Sequence, residues 1–180
     1  MSTLVTILLV LAGIIVLVLI IGVFMKKNHY VKREITINAP LQKVFDYIRL
    51  LKNQGNFNKW AMSDQNRIEE SKGIDGTAGF VYSWRGDSSV GEGEKEIKRI
   101  VEGEKVESEI RFVKPMRTTA YTIMETEPLS GDQTRVTWSN EGRLKYPLNI
   151  MIPLAEKNFS KDLDISLSTL KNILEKQEQQ

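Results

Sequence analysis

Arg33-Glu34-Ile35-Thr36-Ile37-Asn38-Ala39-Pro40, with Val44-Phe45-Asp46-Tyr47 close behind, changes from an alternating to a helical pattern within a few residues. Val31, Arg33, Ile35 and Ile37 fall on one side at period two, so residues 30–38 read as a strand. Asn38 is a residue type that caps helices, and Pro40 is tolerated in a first turn, where its missing N–H is not needed. Val44, Phe45, Ile48 and Leu51 then recur at helical spacing. Gln54-Gly55-Asn56 interrupts that pattern, and a second short helix or turn reaches Trp60.

Toward the C-terminus the period returns to two. Residues 67–71 make a weak strand, and Gly73-Ile74-Asp75-Gly76 makes a turn, since Asp-Gly reaches positive φ cheaply. Residues 78–85 form a strand with Phe80, Tyr82 and Trp84 on one side. Residues 94–101 form another, whose alternation slips near Arg99-Ile100 and so predicts a bulge. Val106, Ser108, Ile110 and Phe112 share a face of the next strand, and residues 118–127 and 133–141 supply two more. The chain then gives one long apolar stripe: Leu148, Ile152, Ala155, Phe159, Leu163, Leu167, Leu170 and Leu174. Pro153 should kink this helix or mark its regular start. Short turns between the strands exclude a doubly wound parallel sheet. The class is therefore α+β: a curved antiparallel sheet of about seven strands, two short helices and a long C-terminal helix.

Toward the N-terminus, residues 4–25 carry no charge, and only Thr6, Gly13 and Gly22 interrupt the apolar run. About 20 such residues cross a bilayer as a helix, which satisfies its own backbone hydrogen bonds. A cleaved signal peptide fits poorly, because its apolar region runs about 7–15 residues behind a basic leader. We therefore expect residues 4–25 to anchor the chain in a membrane. Lys26, Lys27, Lys32 and Arg33 all follow the run. Basic flanks stay in the cytoplasm, which places the N-terminus outside and the domain in the cytoplasm. An exported domain behind an uncleaved signal anchor is the alternative. The expected division is residues 1–29 as anchor and linker, 30–176 as one domain and 177–180 as a frayed tail. All 25 basic and 23 acidic residues follow the anchor, a near-neutral balance that argues against a nucleic-acid partner.

The opening motif, the stretch from Phe57 to Trp60, Gly91-Glu92-Gly93-Glu94, Thr134-Arg135-Val136-Thr137-Trp138 and the terminal helix together resemble the START/polyketide cyclase-like superfamily. Its fold is the helix-grip or Bet v 1-like fold. The likeness is greatest to membrane-anchored bacterial cyclase/dehydrase-like members. The resemblance implies a cavity between sheet and long helix that takes hydrophobic or lipid-like small molecules. Trp60, Phe80, Trp84, Phe112, Tyr121, Trp138, Met151, Ala155 and Phe159 are its candidate lining. Ordinary core packing is the competing role for each of them.

Catalytic signals are sparse. His29 is the only histidine, beside the anchor, and cysteine is absent, so no triad, thiol nucleophile, metal site or cofactor is expected. Glu92, Glu94 and Glu96 alternate on one strand face with Lys95, Lys98 and Lys105 nearby, which reads as a solvated, screened face. Tyr82, Tyr121, Asp87 and Arg143 are available as polar groups for a pocket. The leading functional expectation is a membrane-tethered binding protein. A non-catalytic adaptor would instead show a filled core and an exposed apolar patch. A cyclase- or dehydratase-type enzyme would show a polar cavity cluster with perturbed pKa values.

Overall fold

The computed structural model describes residues 2–64, 66–88, 90–129 and 131–176. The tail expected at 177–180 lies outside the described residues. Helix α1 (Thr3–Phe24) precedes strand β1 (Asn28–Ile37) and helix α2 (Leu41–Ile48). A 3-10 segment (Leu51–Asn56) and one turn of helix, α3 (Lys59–Met62), lead to the strands. These are β2 (Ile68–Lys72), β3 (Val81–Arg85), β4 (Glu92–Val101), β5 (Lys105–Lys114), β6 (Thr118–Pro128) and β7 (Thr134–Arg143). A second 3-10 segment (Leu148–Met151) runs directly into α4 (Ile152–Lys176).

The seven strands form one antiparallel sheet in the order β1-β7-β6-β5-β4-β3-β2. The first strand thus closes onto the last, and the meander fills the space between. The register slips between Ile97 and Arg99, where the alternation predicts a bulge, and again between Glu92 and Gly93. Such slips bend a strand and let a sheet curl around a helix.

Helix α4 lies in the concave side. Leu163, Leu167, Leu170 and Leu174 are buried with Val31, Ile37, Val136, Trp138 and Met124 of the sheet and Val44, Ile48 and Phe57 of the opening helices. Each buried leucine contributes about 1.5–3 kcal/mol relative to exposure. The helical stripe runs inward from Ile152; Leu148 is exposed because it belongs to the preceding 3-10 segment, where the period differs. Pro153 falls in the first turn of α4, so it starts the helix rather than kinking it. The far end of α4 is tied down: Asn38 N donates to Glu175 at 2.7 Å, and Lys171 Nζ donates to Thr36 O at 2.6 Å. Asn38 does not cap α2. Pro40 takes the N-cap position, and the Asn38 side chain accepts from Gln133 Nε2 at 2.6 Å.

Helix α1 is long and apolar enough to cross a membrane, and no residue of its most apolar stretch is buried. Its end is held by the second 3-10 segment. Asn149 is fully buried there and donates from Nδ2 to the carbonyls of Gly22 (2.6 Å) and Met25 (3.2 Å). Helix ends leave such carbonyls without partners, so Asn149 acts as a cap supplied from the other end of the chain. A Cβ on Gly22 would stand 2.8 Å from Ile150 Cγ2, which is why the approach needs glycine.

Candidate functional site: a cavity with one buried lysine

Between the sheet and α4 a cavity of about 490 Å³ remains. Trp60, Trp84, Phe112, Trp138 and Phe159 line it. Their rings meet edge-on: Trp60 with Phe159 at 5.8 Å and Trp84 with Phe112 at 6.0 Å between centroids. Trp84 lies opposite Gly93 in the β3–β4 register, and a Cβ on Gly93 would touch its ring at 2.8 Å. The glycine therefore seats the indole against the sheet.

The other four aromatic and apolar candidates lie elsewhere. Phe80 is fully buried with Phe45, Leu51, Ile97 and Val106, in a second core cluster rather than on the cavity wall. Tyr121 is 48% exposed and points outward, because β6 turns Ala120, Thr122 and Met124 inward and the odd-numbered residues out. Met151 is also 48% exposed, being in the 3-10 segment before α4. Ala155 is half-buried and is not among the residues that line the cavity. Of the polar candidates, Tyr82 lines the cavity, while Tyr121 and Arg143 line a wider groove beside the end of α1. Asp87 is in the β3–β4 loop, where its Oδ1 accepts from Val90 N at 3.4 Å.

Two polar residues on the wall run against the sequence reading. His29 is not merely beside the anchor: it is in β1, 93% buried by its 7% exposure, and lines the cavity. Its Nε2 is 3.2 Å from Asn140 Oδ1, its ring leans on Phe159 at 5.4 Å, and its Nδ1 is buried without a hydrogen-bond partner. Gly142 faces His29 in the β1–β7 register, and a Cβ there would stand 2.5 Å from its Cε1. Lys95 is not one of the cations that screen the glutamates. Strand β4 sends Gly93, Lys95 and Ile97 inward and Glu92, Glu94 and Glu96 outward. The signal was present in the parity: Lys95 shares the phase of Ile97.

Lys95 Nζ donates to Gln54 Oε1 at 2.8 Å and lies 5.9 Å from the Trp138 ring centre. Trp138 is fixed in turn by Nε1 donating to Thr122 Oγ1 at 2.7 Å. Burial alone pushes the lysine from the ordinary 10.5 down to about 7, with no carboxylate to hold the charge. Nearby, burial and the Glu69 hydrogen bond push Tyr82 up to about 12, so its hydroxyl stays protonated at neutral pH. Arg67, also on the wall, is committed to Glu69 and to the carbonyls of Ala61 and Asp64. On the outer face Glu92 pairs with Lys114 at 3.0 Å, while Glu94 and Glu96 join an ion-pair ladder on Arg111. Arg111 meets Glu94 at 2.6 Å, Glu96 at 2.8 Å, and Glu109. Lys98 and then Arg111 hold the Glu96 carboxyl below the usual range.

The sequence profile of the polyketide cyclase/dehydrase and lipid transport family matches residues 28–175. No curated protein matches the chain. Solved structures share the fold at low identity. Norcoclaurine synthase from Thalictrum flavum, in complex with dopamine and hydroxybenzaldehyde, is 10% identical with a TM-score of 0.63, covering 86% of this chain and 90% of its own. Protein CV1439 from Chromobacterium violaceum is 15% identical with a TM-score of 0.59, covering 82% and 97%. Mll3558 from Rhizobium loti is 17% identical with a TM-score of 0.60, covering 79% and 96%.

Proposed function

The chain belongs to the polyketide cyclase/dehydrase and lipid transport family, and from that premise we propose that it binds a hydrophobic or lipid-like small molecule while α1 holds it at a membrane. The cavity of about 490 Å³ walled by three tryptophans and two phenylalanines carries this reading. Its volume is within the range of about 300–1,000 Å³ typical of small-molecule pockets. The complex of norcoclaurine synthase with two small aromatic molecules supports it by analogy of fold. The run of basic residues after α1 supports an N-terminus outside and the domain in the cytoplasm. Tethering concentrates the domain near membrane-dissolved ligands, as a short linker does. His29 lines the cavity only a few residues beyond Phe24, the end of α1, so the wall begins next to the anchor. Native mass spectrometry of the detergent-purified full chain tests the reading. Bound small-molecule masses are expected; protein that is always empty, and stays empty after exposure to a lipid extract, refutes it.

A cyclase- or dehydratase-type activity is a second reading, favoured by the amine of Lys95 poised near neutral pH inside the cavity. It predicts that a co-purifying ligand is chemically altered on incubation with the protein and left unchanged by the Lys95→Met variant. A pure adaptor role is expected to show a filled interior, and the cavity of about 490 Å³ weighs toward the binding reading instead.

A further inference from the structure

Lys95 is on the cavity wall with only 7% of its surface exposed. Its two neighbours are an amide oxygen and an indole face, neither of which carries charge. Among the described residues the wall contains no aspartate or glutamate. Of the other cations there, Arg67 is paired with Glu69, and Lys114, with its side chain 70% exposed, is paired with Glu92 at the solvent-facing margin, which leaves Lys95 as the buried cation without a carboxylate. The remaining titratable groups on the wall are His29 and Tyr82. A buried ammonium without a counter-charge is costly, and removing a single carboxylate partner from such a site typically destabilises a protein severely. A cavity built around one uncompensated cation and an aromatic body is complementary to an amphiphile with one negative charge.

We infer that the ligand is a long-chain or polycyclic carboxylate whose head group pairs with Lys95 and Gln54 while its apolar body lies among Trp60, Trp84, Trp138 and Phe159. This rests on the binding function proposed above and narrows its ligand class. The pairing supplies the missing counter-charge, so the lysine takes up a proton as the carboxylate docks. Binding therefore weakens as pH rises above the range where the free lysine titrates, whereas an uncharged amphiphile of equal chain length shows no such dependence.

The test uses the full chain in zwitterionic nanodiscs, with palmitate and 1-hexadecanol as probes and protein-free nanodiscs as the blank. In the wild type, palmitate affinity relative to hexadecanol should fall by about tenfold or more between pH 7 and pH 9. Lys95→Met should weaken palmitate at least tenfold more than it weakens hexadecanol, and an unchanged far-ultraviolet circular dichroism spectrum reports that the variant is folded. Equal palmitate affinity in wild type and variant, or a flat palmitate-to-hexadecanol ratio across pH in the wild type, overturns the inference. Hexadecanol binding without palmitate binding overturns it too, while leaving the cavity function standing. Absence of binding by both probes to the wild type overturns the cavity function and this inference together. The wild-type pH series decides the matter if the variant does not fold.

Discussion

At the scale of single residues, Lys95 makes stability depend on pH in a direction that can be worked out. Its folded value is about 7 against an ordinary 10.5. Below about pH 7 both folded and unfolded chains hold the proton, and the burial penalty is complete. Between these values the unfolded chain holds a proton that the folded one lacks, so stability rises with pH, by at most about 1.4 kcal/mol per unit. From pH 7 to 9 the wild type should gain about 1–2 kcal/mol relative to Lys95→Met, in denaturant titrations followed by tryptophan fluorescence. Gly142→Ala gives a second expectation. Its new methyl group meets the His29 ring, which cannot stay in place beside Asn140 and Phe159. A loss of about 1–3 kcal/mol is expected, seen as a lower midpoint in the same titration.

At the scale of elements, the long helix offers a clean contrast. Leu167→Ala removes a side chain that is 1% exposed and should cost about 2–5 kcal/mol, whereas Leu154→Ala, at a site 52% exposed, should change stability by less than about 0.5 kcal/mol. Both are measurable as shifts in the denaturation midpoint. This stripe was legible in the sequence because a 3.6-residue period over many turns leaves little ambiguity, and the strands were legible because the turns between them are rich in glycine. Leu148 and Met151 were misplaced because a 3-10 turn joins the helix without a break in hydrophobicity. Tyr121 was misplaced because aromatic character outweighed strand parity: the inward neighbours of β6 are Ala120 and Thr122, small residues that reveal little about facing. Lys95 escaped notice for the converse reason. In a run of alternating charges, one sign points to solvent and the other to the interior, and only the phase shared with Ile97 tells them apart. His29 was passed over because nearness to an anchor says nothing about which strand register follows.

At the scale of the whole molecule, the chain joins one apolar helix to one domain, and topology can be read with thiol chemistry because the sequence has no cysteine. Single Ser2→Cys and Ser71→Cys variants in intact cells should differ: a membrane-impermeant maleimide labels the first and spares the second until the membrane is opened. Labelling of Ser71→Cys in sealed cells would place the domain outside. The cap that Asn149 puts on the end of α1 bears on how this assembly moves. A domain hung from a slack tether tumbles and shows every side to the lipid in turn. Here the shaft is bolted to the platform next to the first turn of α4, so tilting one tilts the other. Under the membrane tethering proposed above, a ligand arriving from the lipid would meet the cavity at a constant height and bearing, without waiting for the body to swing round.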